Sequence, residues 1–163
     1  MSQLRRLILL LLLGGGVVLL DQWTKLLALQ HLSPVYPEKI IEGFFSLVLV
    51  MNSGVAFGVF SAIDSAHKAY YLLAFSGITV LLVLIYYFRD KQLRLIGCVA
   101  LTLVMGGAVG NLIDRWRYQK VVDFLDFYWR GYHWPAFNLA DSAITVGVFL
   151  ILYETLTAGR REV

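Results

Sequence analysis

The stretch LIGCVALTLVMGGAVGNLIDR (residues 95–115) decides the class of this protein. Up to Ile113 it holds no charged residue, and its length is close to the roughly 20 apolar residues that cross the hydrocarbon core of a bilayer. The apolar run then stops at Asp114 and Arg115. We therefore predict a membrane-spanning helix over residues 95–113 with two charged residues at its end.

The composition extends this prediction to the whole chain of 163 residues, of which 59% are hydrophobic and 15% are charged. Typical soluble domains contain about 25% charged residues, so this chain has too few to cover a water-exposed surface. Three further apolar runs have a comparable length. We predict an all-α integral membrane protein that forms a single domain over residues 1–163. Its four spanning helices are expected at residues 7–29, 69–88, 95–113 and 142–157.

The glycines of the third span predict how the helices pack. Gly106 and Gly110 are four residues apart on one helix face, where small side chains usually allow a close approach of neighbouring helices. Such packing would also bring the NLIDR segment (residues 111–115) to the centre of the bundle.

The distribution of cations predicts the orientation, because short cytoplasmic segments of membrane proteins carry an excess of Lys and Arg. Three short segments contain such clusters: Arg5 and Arg6, then Arg89, Lys91 and Arg94, then Arg160 and Arg161. We therefore predict that both termini lie in the cytoplasm and that residues 30–68 and 114–141 face outward. The net charge of +3 reflects this topology, and we predict no nucleic-acid partner.

The two outward segments differ in composition. IIEGFFSLVLVMNSGVAFGVF (residues 40–60) is rich in aromatic and β-branched residues interrupted by glycines. This composition predicts a few short strands and turns at the membrane surface. The GVAFGVF part (residues 54–60) is also compatible with an amphipathic or re-entrant piece in the interface. Residues 114–141 are dense in aromatic side chains, which is typical of an interfacial belt.

The sequence gives little support for metal or thiol chemistry. Cys98, the single cysteine, lies in the apolar run LIGCVAL and is predicted to be a small core residue rather than a nucleophile. His31, His67 and His133 lie far apart, without the spacing that is typical of metal ligands. We predict neither a metal site nor any other cofactor.

Five aspartates lie beside or within apolar segments: Asp21, Asp114, Asp123, Asp126 and Asp141. At the centre of a span a carboxylate costs about 2.5–3.5 kcal/mol, so such residues tend to have a partner or a function. Asp21 and Lys25 are spaced i, i+4 and are predicted to form an ion pair on one helix face, with contact to lipid or substrate as the alternative. Asp114 and Arg115 are predicted to fasten the helices through a polar network, unless Arg115 binds a phosphate.

Asp123 and Asp141 allow two interpretations. Asp141 opens the fourth predicted helix, where an acid can cap the helix or interact with its dipole. Alternatively, two carboxylates that meet in an apolar cleft repel each other and share one proton. The ionised carboxylate then activates water while the protonated one donates to the carbonyl under attack, as in an aspartic peptidase. Spacing leaves open which two of the five acids would pair, although Asp126 is expected to face solvent or the lipid headgroups.

Five blocks of the sequence together resemble the lipoprotein signal peptidase family, also called signal peptidase II. They occur in the order of the family and around the predicted spans: DQWTK (21–25), MNSGVAF (51–57), GGAVGNLIDR (106–115), VVDF (121–124) and FNLADS (137–142). The resemblance covers nearly the whole chain. It implies a multi-pass protein of the bacterial inner membrane, with a small extracytoplasmic β-platform and a mobile surface helix formed by residues 31–67.

The resemblance also implies roles for individual residues. Asp123 and Asp141 would be the catalytic dyad of an aspartic endopeptidase whose active site lies near the outer leaflet. The residues of the substrate pocket would be Asn52, Gly54, Asn111, Arg115, Asn138 and Ala140. The supporting residues would be Asp21, Lys25 and Asp114.

The implied substrates are prolipoproteins that carry diacylglycerol on a cysteine, and cleavage would occur just before that cysteine. Membrane lipid and the cyclic peptide inhibitor globomycin, expected at the dyad, are the other implied partners. The residues themselves leave two alternatives open. One is a small proton-coupled transporter or channel that uses the same aspartates as a relay, and the other is a membrane scaffold without enzymatic activity.

Overall fold

The computed structural model describes residues 1–54 and 65–158 of the chain. Within them lie four long helices, α1 (Gln3–His31), α2 (Ser65–Arg89), α3 (Leu95–Tyr118) and α4 (Leu139–Ala158). A π-helical segment at Leu10–Gly14 forms part of α1. Each of the four contains a stretch that is long and apolar enough to cross a membrane. The four predicted helices are therefore confirmed, while their orientation in the membrane stays a prediction.

All four helices extend beyond the predicted limits of the spans. α3 runs past Ile113 to Tyr118, and α4 begins at Leu139, before Ser142. Hydropathy marks where an apolar run stops, but helical hydrogen bonds between backbone groups continue through polar residues. The carboxylate of Asp114 is buried and ion-paired in the last turns of α3, so the helix continues there at little cost.

α3 is the central helix of the bundle. In its most apolar stretch 56% of the residues are buried, compared with 11%, 6% and 11% in α1, α2 and α4. A Cβ atom on Gly106 would lie 3.0 Å from the Gly14 carbonyl oxygen of α1, and one on Gly107 would collide with the Ala140 carbonyl oxygen of α4. The glycines of α3 therefore allow close packing, as predicted, and the NLIDR segment lies beside both neighbouring helices.

The apolar core lies towards the N-terminal half of α3. Its buried residues are Tyr87, Cys98, Leu101 and Met105. Cys98 is a free thiol with no exposed surface, which confirms its predicted place in the core.

Arg6 belongs to the N-terminal cation cluster, but it is buried in the structure, with only 1% of its surface exposed. Its Nη1 donates to the carbonyl oxygens of Tyr87 and Asp90, each at 2.6 Å. The Tyr87 hydroxyl donates in return to the Arg6 carbonyl oxygen at 3.0 Å. The last carbonyl groups of a helix have no partner inside the helix, so Arg6 satisfies the end of α2 and fastens α1 to it.

A four-stranded antiparallel sheet accompanies the helices, with its strands in the order β1–β2–β3–β4. The strands are β1 (Glu38–Ile41), β2 (Phe45–Asn52), β3 (Val121–Trp129) and β4 (Tyr132–His133). β1 and β2 confirm the strands that were predicted within residues 40–60. Most of the predicted interfacial piece, residues 55–60, lies outside the described residues.

Sequence analysis predicted neither β3 nor the short β4, and β3 organises the site. Asn52 at the end of β2 pairs with Val121 at the start of β3. On the other edge of β3, Phe137 exchanges two backbone hydrogen bonds with Leu125, at 2.9 and 3.1 Å. This pairing brings the start of α4 alongside the strand that carries Asp123.

Candidate active site

Asp123 lies on β3 with only 1% of its surface exposed. Its Oδ2 accepts a hydrogen bond of 2.8 Å from Nδ2 of Asn52 on β2. Its Oδ1 accepts one of 2.7 Å from Nδ2 of Asn138, the residue before α4. Two amide donors from different elements therefore fix both oxygens of this carboxyl group.

The turn after β2 sets the orientation of the Asn52 amide. The Gly54 backbone N–H donates to Asn52 Oδ1 at 2.8 Å, so the Nδ2 end of the amide faces Asp123. Gly54 has a φ of +74°, a left-handed conformation that favours glycine. A Cβ atom there would also lie only 2.7 Å from Cδ1 of Leu72. Asn52 and Gly54 therefore act together to present a donor to Asp123.

Asp141 lies in the first turn of α4 and forms a reciprocal pair with Asn138. The Asp141 backbone N–H donates to Asn138 Oδ1 at 2.9 Å, and the Asn138 backbone N–H donates to Asp141 Oδ2 at 3.2 Å. This arrangement is a capping box, so the helix-capping interpretation of Asp141 is confirmed. Its Oδ1 accepts a third hydrogen bond, of 2.7 Å, from Nδ2 of Asn111 on α3.

Asn138 connects the two carboxyl groups. Its side chain donates to Asp123, its backbone donates to Asp141, and the residue is completely buried. No other aspartate in the described residues bonds to Asn138. The structure thus brings Asp123 and Asp141 together, a pair that sequence spacing alone did not select. Asp141 can cap α4 and also pair with Asp123, so the two interpretations are compatible.

The surroundings of Asp123 disfavour its ionisation. Burial raises the pKa of Asp123 from 3.8 to about 6, and the neighbouring Asp141 carboxylate acts in the same direction. The hydrogen bonds from Asn52 and Asn138 lower the pKa and offset part of this effect. Asp123 therefore retains a proton at a pH at which an ordinary aspartate is fully ionised.

A buried ammonium group, Lys25 of α1, supports the site. Its Nζ lies 2.9 Å from Asp21 Oδ2 and 2.8 Å from Asp114 Oδ2, and it donates to Asn111 Oδ1 at 2.9 Å. These three acceptors use all three N–H groups of the ammonium. The predicted Asp21–Lys25 pair is confirmed, and Asp114 joins it. Because Oδ1 of Asn111 faces Lys25, the Nδ2 end of that amide faces Asp141.

Arg115 has a different environment from the one predicted. Within the described part of the chain its guanidinium forms no ion pair with a carboxylate, and Nη1 makes only a long contact of 3.5 Å to the Asn111 carbonyl oxygen. Instead it lines a groove of about 260 Å³ between α2, α3 and α4. The other residues of this groove are Phe75, Ser76, Thr79, Ala108, Asn111, Asp141 and Ile144.

Ala140, expected in the substrate pocket, is completely buried. Its carbonyl oxygen packs against Gly107, and its Cβ packs against Gly110. Its backbone N–H donates to Asp21 Oδ1 at 2.9 Å. The structure therefore places Ala140 in the contact between α3 and α4, and a direct contact with substrate is not supported.

The expectation that Asp126 faces solvent or headgroups was wrong. Asp126 is buried, and its carboxylate oxygens lie 2.9 and 3.0 Å from Nδ1 of His133 on β4. Side chains alternate between the faces of a strand, so Asp126 and Asp123, three residues apart, lie on opposite faces of the sheet. Asp126 is therefore separated from the dyad by the sheet.

Gln22 is a member of this site that sequence analysis missed. Its Nε2 lies 2.9 Å from Asp114 Oδ1, 3.2 Å from Asp21 Oδ2 and 3.1 Å from the Gly110 carbonyl oxygen. A signal was present in the sequence, because Gln22 lies three residues before Lys25 and such residues are neighbours on a helix surface.

The geometry is suited to acid–base chemistry with two carboxyl groups. Within residues 1–54 and 65–158, no group of three or more His, Cys, Asp or Glu side chains converges in a way that could hold a metal ion. The independence of the protein from cofactors stays a prediction. Two coupled carboxyl groups with different surroundings can supply one acid and one base.

Comparison with known proteins points to one family. The sequence profile of the family described as Signal peptidase (SPase) II matches residues 6–157. The chain is 43% identical over 140 residues to the lipoprotein signal peptidase of Desulforapulum autotrophicum, which covers 86% of each protein. It is 44% identical over 147 residues to that of Cupriavidus necator, which covers 90% of this chain and 82% of the relative.

The fold is also similar to solved structures. One is a bacterial membrane enzyme determined by the in meso method at 2.3 Å resolution, with a TM-score of 0.82 and 31% identity, covering 94% of this chain and 91% of that chain. A second solved structure, also described as a bacterial membrane enzyme and determined at 1.9 Å resolution, has a TM-score of 0.80 and 32% identity and covers 90% of this chain and 92% of that chain. With its four helices, its sheet and a profile match over nearly its whole length, this chain belongs to the signal peptidase II family.

Proposed function

We propose that this protein removes the signal peptide from prolipoproteins by aspartic peptidase chemistry at Asp123 and Asp141. The observation that carries the proposal is the position of Asn138, which hydrogen-bonds to both carboxyl groups. Membership of the signal peptidase II family supports the substrate class. The relatives named above give no support to the alternative of a proton-coupled transporter or channel.

The surroundings of the two carboxyl groups favour different roles. Asp123 is buried, and its raised pKa favours the protonated form that an acid requires. Asp141 borders the groove and accepts hydrogen bonds from Asn111 and from the backbone at the positive end of the α4 dipole. Such an arrangement stabilises an anion. We therefore assign the acid to Asp123 and the base to Asp141.

In the proposed reaction Asp141 takes a proton from a water molecule, whose oxygen bonds to the carbon of the scissile carbonyl. Asp123 gives its proton to the carbonyl oxygen, which produces a tetrahedral diol. When the C–N bond breaks, Asp141 returns its proton to the leaving amine. Asp123 recovers a proton from one hydroxyl as the carbonyl forms again, so the dyad returns to its starting state.

We further propose that the substrate carries diacylglycerol on its cysteine and is cut just before that residue. The groove beside Asp141 supports this proposal, because it combines apolar side chains such as Phe75 and Ile144 with the cationic Arg115. Acyl chains bound there would contribute binding energy that positions the scissile bond. Arg115 and Asn111 would contact polar groups of the substrate, whereas Asn52, Gly54 and Asn138 would orient Asp123.

The proposed location is the bacterial cytoplasmic membrane, with both termini in the cytoplasm and the dyad near the outer leaflet. The cation clusters on the short segments support this orientation. Membrane lipid would surround the helices, and globomycin would compete with the precursor at the dyad.

The decisive experiment uses the purified protein in detergent, without any ion gradient. We expect cleavage of a diacylglyceryl-modified precursor and little cleavage of the same precursor without lipid. Asp123→Asn and Asp141→Asn should fold normally and lose nearly all cleavage, since Asn cannot take or give the proton. Because groups that act as a unit are not additive, the double variant should be little worse than either single one. Substantial activity in either single variant would show that these two aspartates are not the catalytic pair.

A further inference from the structure

Two backbone N–H groups next to the dyad are held by carboxylates of other helices. The Ala140 N–H, one residue before Asp141, donates to Asp21 Oδ1 at 2.9 Å. The Val122 N–H, one residue before Asp123, donates to Asp114 Oδ2 at 3.1 Å. Each catalytic aspartate is therefore attached, through its preceding residue, to a buried acid that takes no part in the proposed reaction.

The two buried acids are in turn held together by two side chains of α1. Lys25 Nζ lies between Asp21 Oδ2 and Asp114 Oδ2, at 2.9 and 2.8 Å. Gln22 Nε2 also lies between them, at 3.2 Å from Asp21 Oδ2 and 2.9 Å from Asp114 Oδ1. A continuous chain of contacts thus runs from the start of α4 through α1 and α3 to β3.

We propose that Gln22, together with Lys25, is a positioning residue that fixes the separation between the two catalytic aspartates. The inference rests on the dyad proposed above and adds a role for a residue outside it. Gln22 touches neither aspartate of the dyad, and it acts through Asp21 on the segment of Asp141 and through Asp114 on the segment of Asp123. Its contact with the Gly110 carbonyl oxygen fixes the amide against α3.

The need for such a device follows from the construction of the dyad. Asp123 lies on a strand and Asp141 on a helix, and their distance depends on how these two separate elements are docked. Catalytic geometry is sensitive on this scale, because a misplacement of about 1 Å costs about 100-fold in rate. Lys25 holds Asp21 and Asp114 together through its charge, and Gln22 adds a neutral bridge between the same two carboxylates.

The test is Gln22→Met, which keeps the length of the side chain, removes its hydrogen bonds and changes no charge. We expect kcat on a lipidated precursor to fall about 10- to 100-fold, with KM changed less than about twofold. The pH profile supplies a second readout. The two apparent pKa values of a pair of coupled acids differ more when the acids interact more strongly. A looser dyad therefore gives a narrower bell-shaped profile of kcat/KM against pH.

This narrowing would report geometry, because the charged groups around the dyad are unchanged in the variant. They are Asp21 and Lys25 on α1, Asp114 and Arg115 on α3, Asp123 on β3 and Asp141 on α4. A side chain that only stabilises the fold would lower the thermal midpoint and leave kcat per folded molecule and both limbs of the bell unchanged.

Thr24→Val is the matched control on the same helix, since among the described residues the Thr24 hydroxyl bonds only to carbonyl oxygens of α1 at 2.9 Å. It should keep normal kcat and a normal bell. Asp123→Asn and Asp141→Asn are measured in parallel. If those two are inactive while Gln22→Met keeps the normal kcat and bell, the positioning role is refuted and the dyad stands. If either aspartate variant remains active, the dyad itself is refuted, and with it the role of Gln22.

Discussion

The hydrogen bond from Asn52 to Asp123 gives the most quantitative prediction. Nδ2 of Asn52 lies 2.8 Å from Oδ2 of Asp123 and stabilises the ionised carboxylate, which lowers the pKa of that acid. Asn52→Leu keeps a similar volume and removes the donor. A hydrogen bond to a charged group contributes about 1.5–3 kcal/mol. Since one pKa unit corresponds to about 1.4 kcal/mol, the loss should raise the pKa of Asp123 by about one to two units.

The sign follows from the proposed role of Asp123 as the acid. The reaction needs Asp123 protonated, so kcat/KM should fall as the pH rises through the pKa of Asp123 in the free enzyme, which is about 6. In Asn52→Leu the protonated form persists to higher pH. The alkaline limb of kcat/KM should therefore move to higher pH by about one to two units, whatever the loss in the maximal rate.

The assay is the initial rate of cleavage of a lipidated precursor from pH 4 to 9, at substrate concentrations well below KM. Asp126→Asn is the matched control, because Asp126 is buried on the same strand but on the opposite face of the sheet. Its alkaline limb should coincide with that of the unmodified protein. An alkaline limb that stays in place, or moves to lower pH, in Asn52→Leu would refute the assignment of the acid to Asp123.

Four further predictions concern other parts of the molecule. Cys98→Ser should keep near-normal turnover, because the thiol lies in the apolar core. Chelators should not inhibit cleavage, and a lower initial rate in the presence of a chelator would contradict the proposed mechanism. Asp126→Asn should lower the free energy of unfolding by about 1 kcal/mol or less in thermal melts, because its partner His133 is 58% exposed, and kcat should stay normal. Gly107→Ala should lose most cleavage and lower the thermal midpoint, because its Cβ would collide with the backbone before Asp141. Gly15→Ala is the control: a Cβ there has nothing within 4 Å, so neither cleavage nor the thermal midpoint should change. A topology reporter inserted near Gln92 should read cytoplasmic, and an external reading would reverse the proposed orientation.

Apolar length and helical spacing account for what the sequence predicted correctly. The four runs of apolar residues match the thickness of a bilayer, so the helices were evident without any knowledge of their packing. The Asp21–Lys25 pair follows from i, i+4 spacing within one helix. The third member, Asp114, was not predictable in this way, because its position depends on how α3 docks against α1.

β3 escaped prediction for a different reason. A half-buried strand alternates between apolar and polar residues. β3 instead is buried on both faces at its start, and its buried residues include acids. Asp123 faces Asn138, while Asp126 faces His133 on the other side of the sheet. The sequence VVDFLDFYW therefore shows no alternation that distinguishes a covered face from an exposed one, and Asp126 was assigned to solvent.

The placement of Asn138 shows where resemblance and physics contributed separately. The resemblance to the family named Asn138 as a pocket residue, whereas the residues themselves predicted only that Asp141 caps the fourth helix or interacts with its dipole. In the structure a single asparagine serves as the cap of α4 and as a donor to Asp123. Such a double use requires the edge of β3 to lie beside the start of α4, which is a property of the complete fold.

The buried charges of this protein support the proposal that Asp123 and Asp141 share one proton. The polar centre contains four carboxyl groups and two cations: Asp21, Asp114, Asp123 and Asp141, with Lys25 and Arg115. Their formal charges sum to −2 if every acid is ionised and to −1 if the dyad holds one proton. Lys25 is already saturated by its three acceptors, so ionisation of the second dyad acid would add an uncompensated negative charge in a buried site. Because the four acids come from α1, α3, β3 and α4, the network is complete only when all four elements are docked. A partly satisfied buried network is costly, so the same contacts that hold Asp123 and Asp141 in place also select the arrangement of helices and sheet in which the network forms.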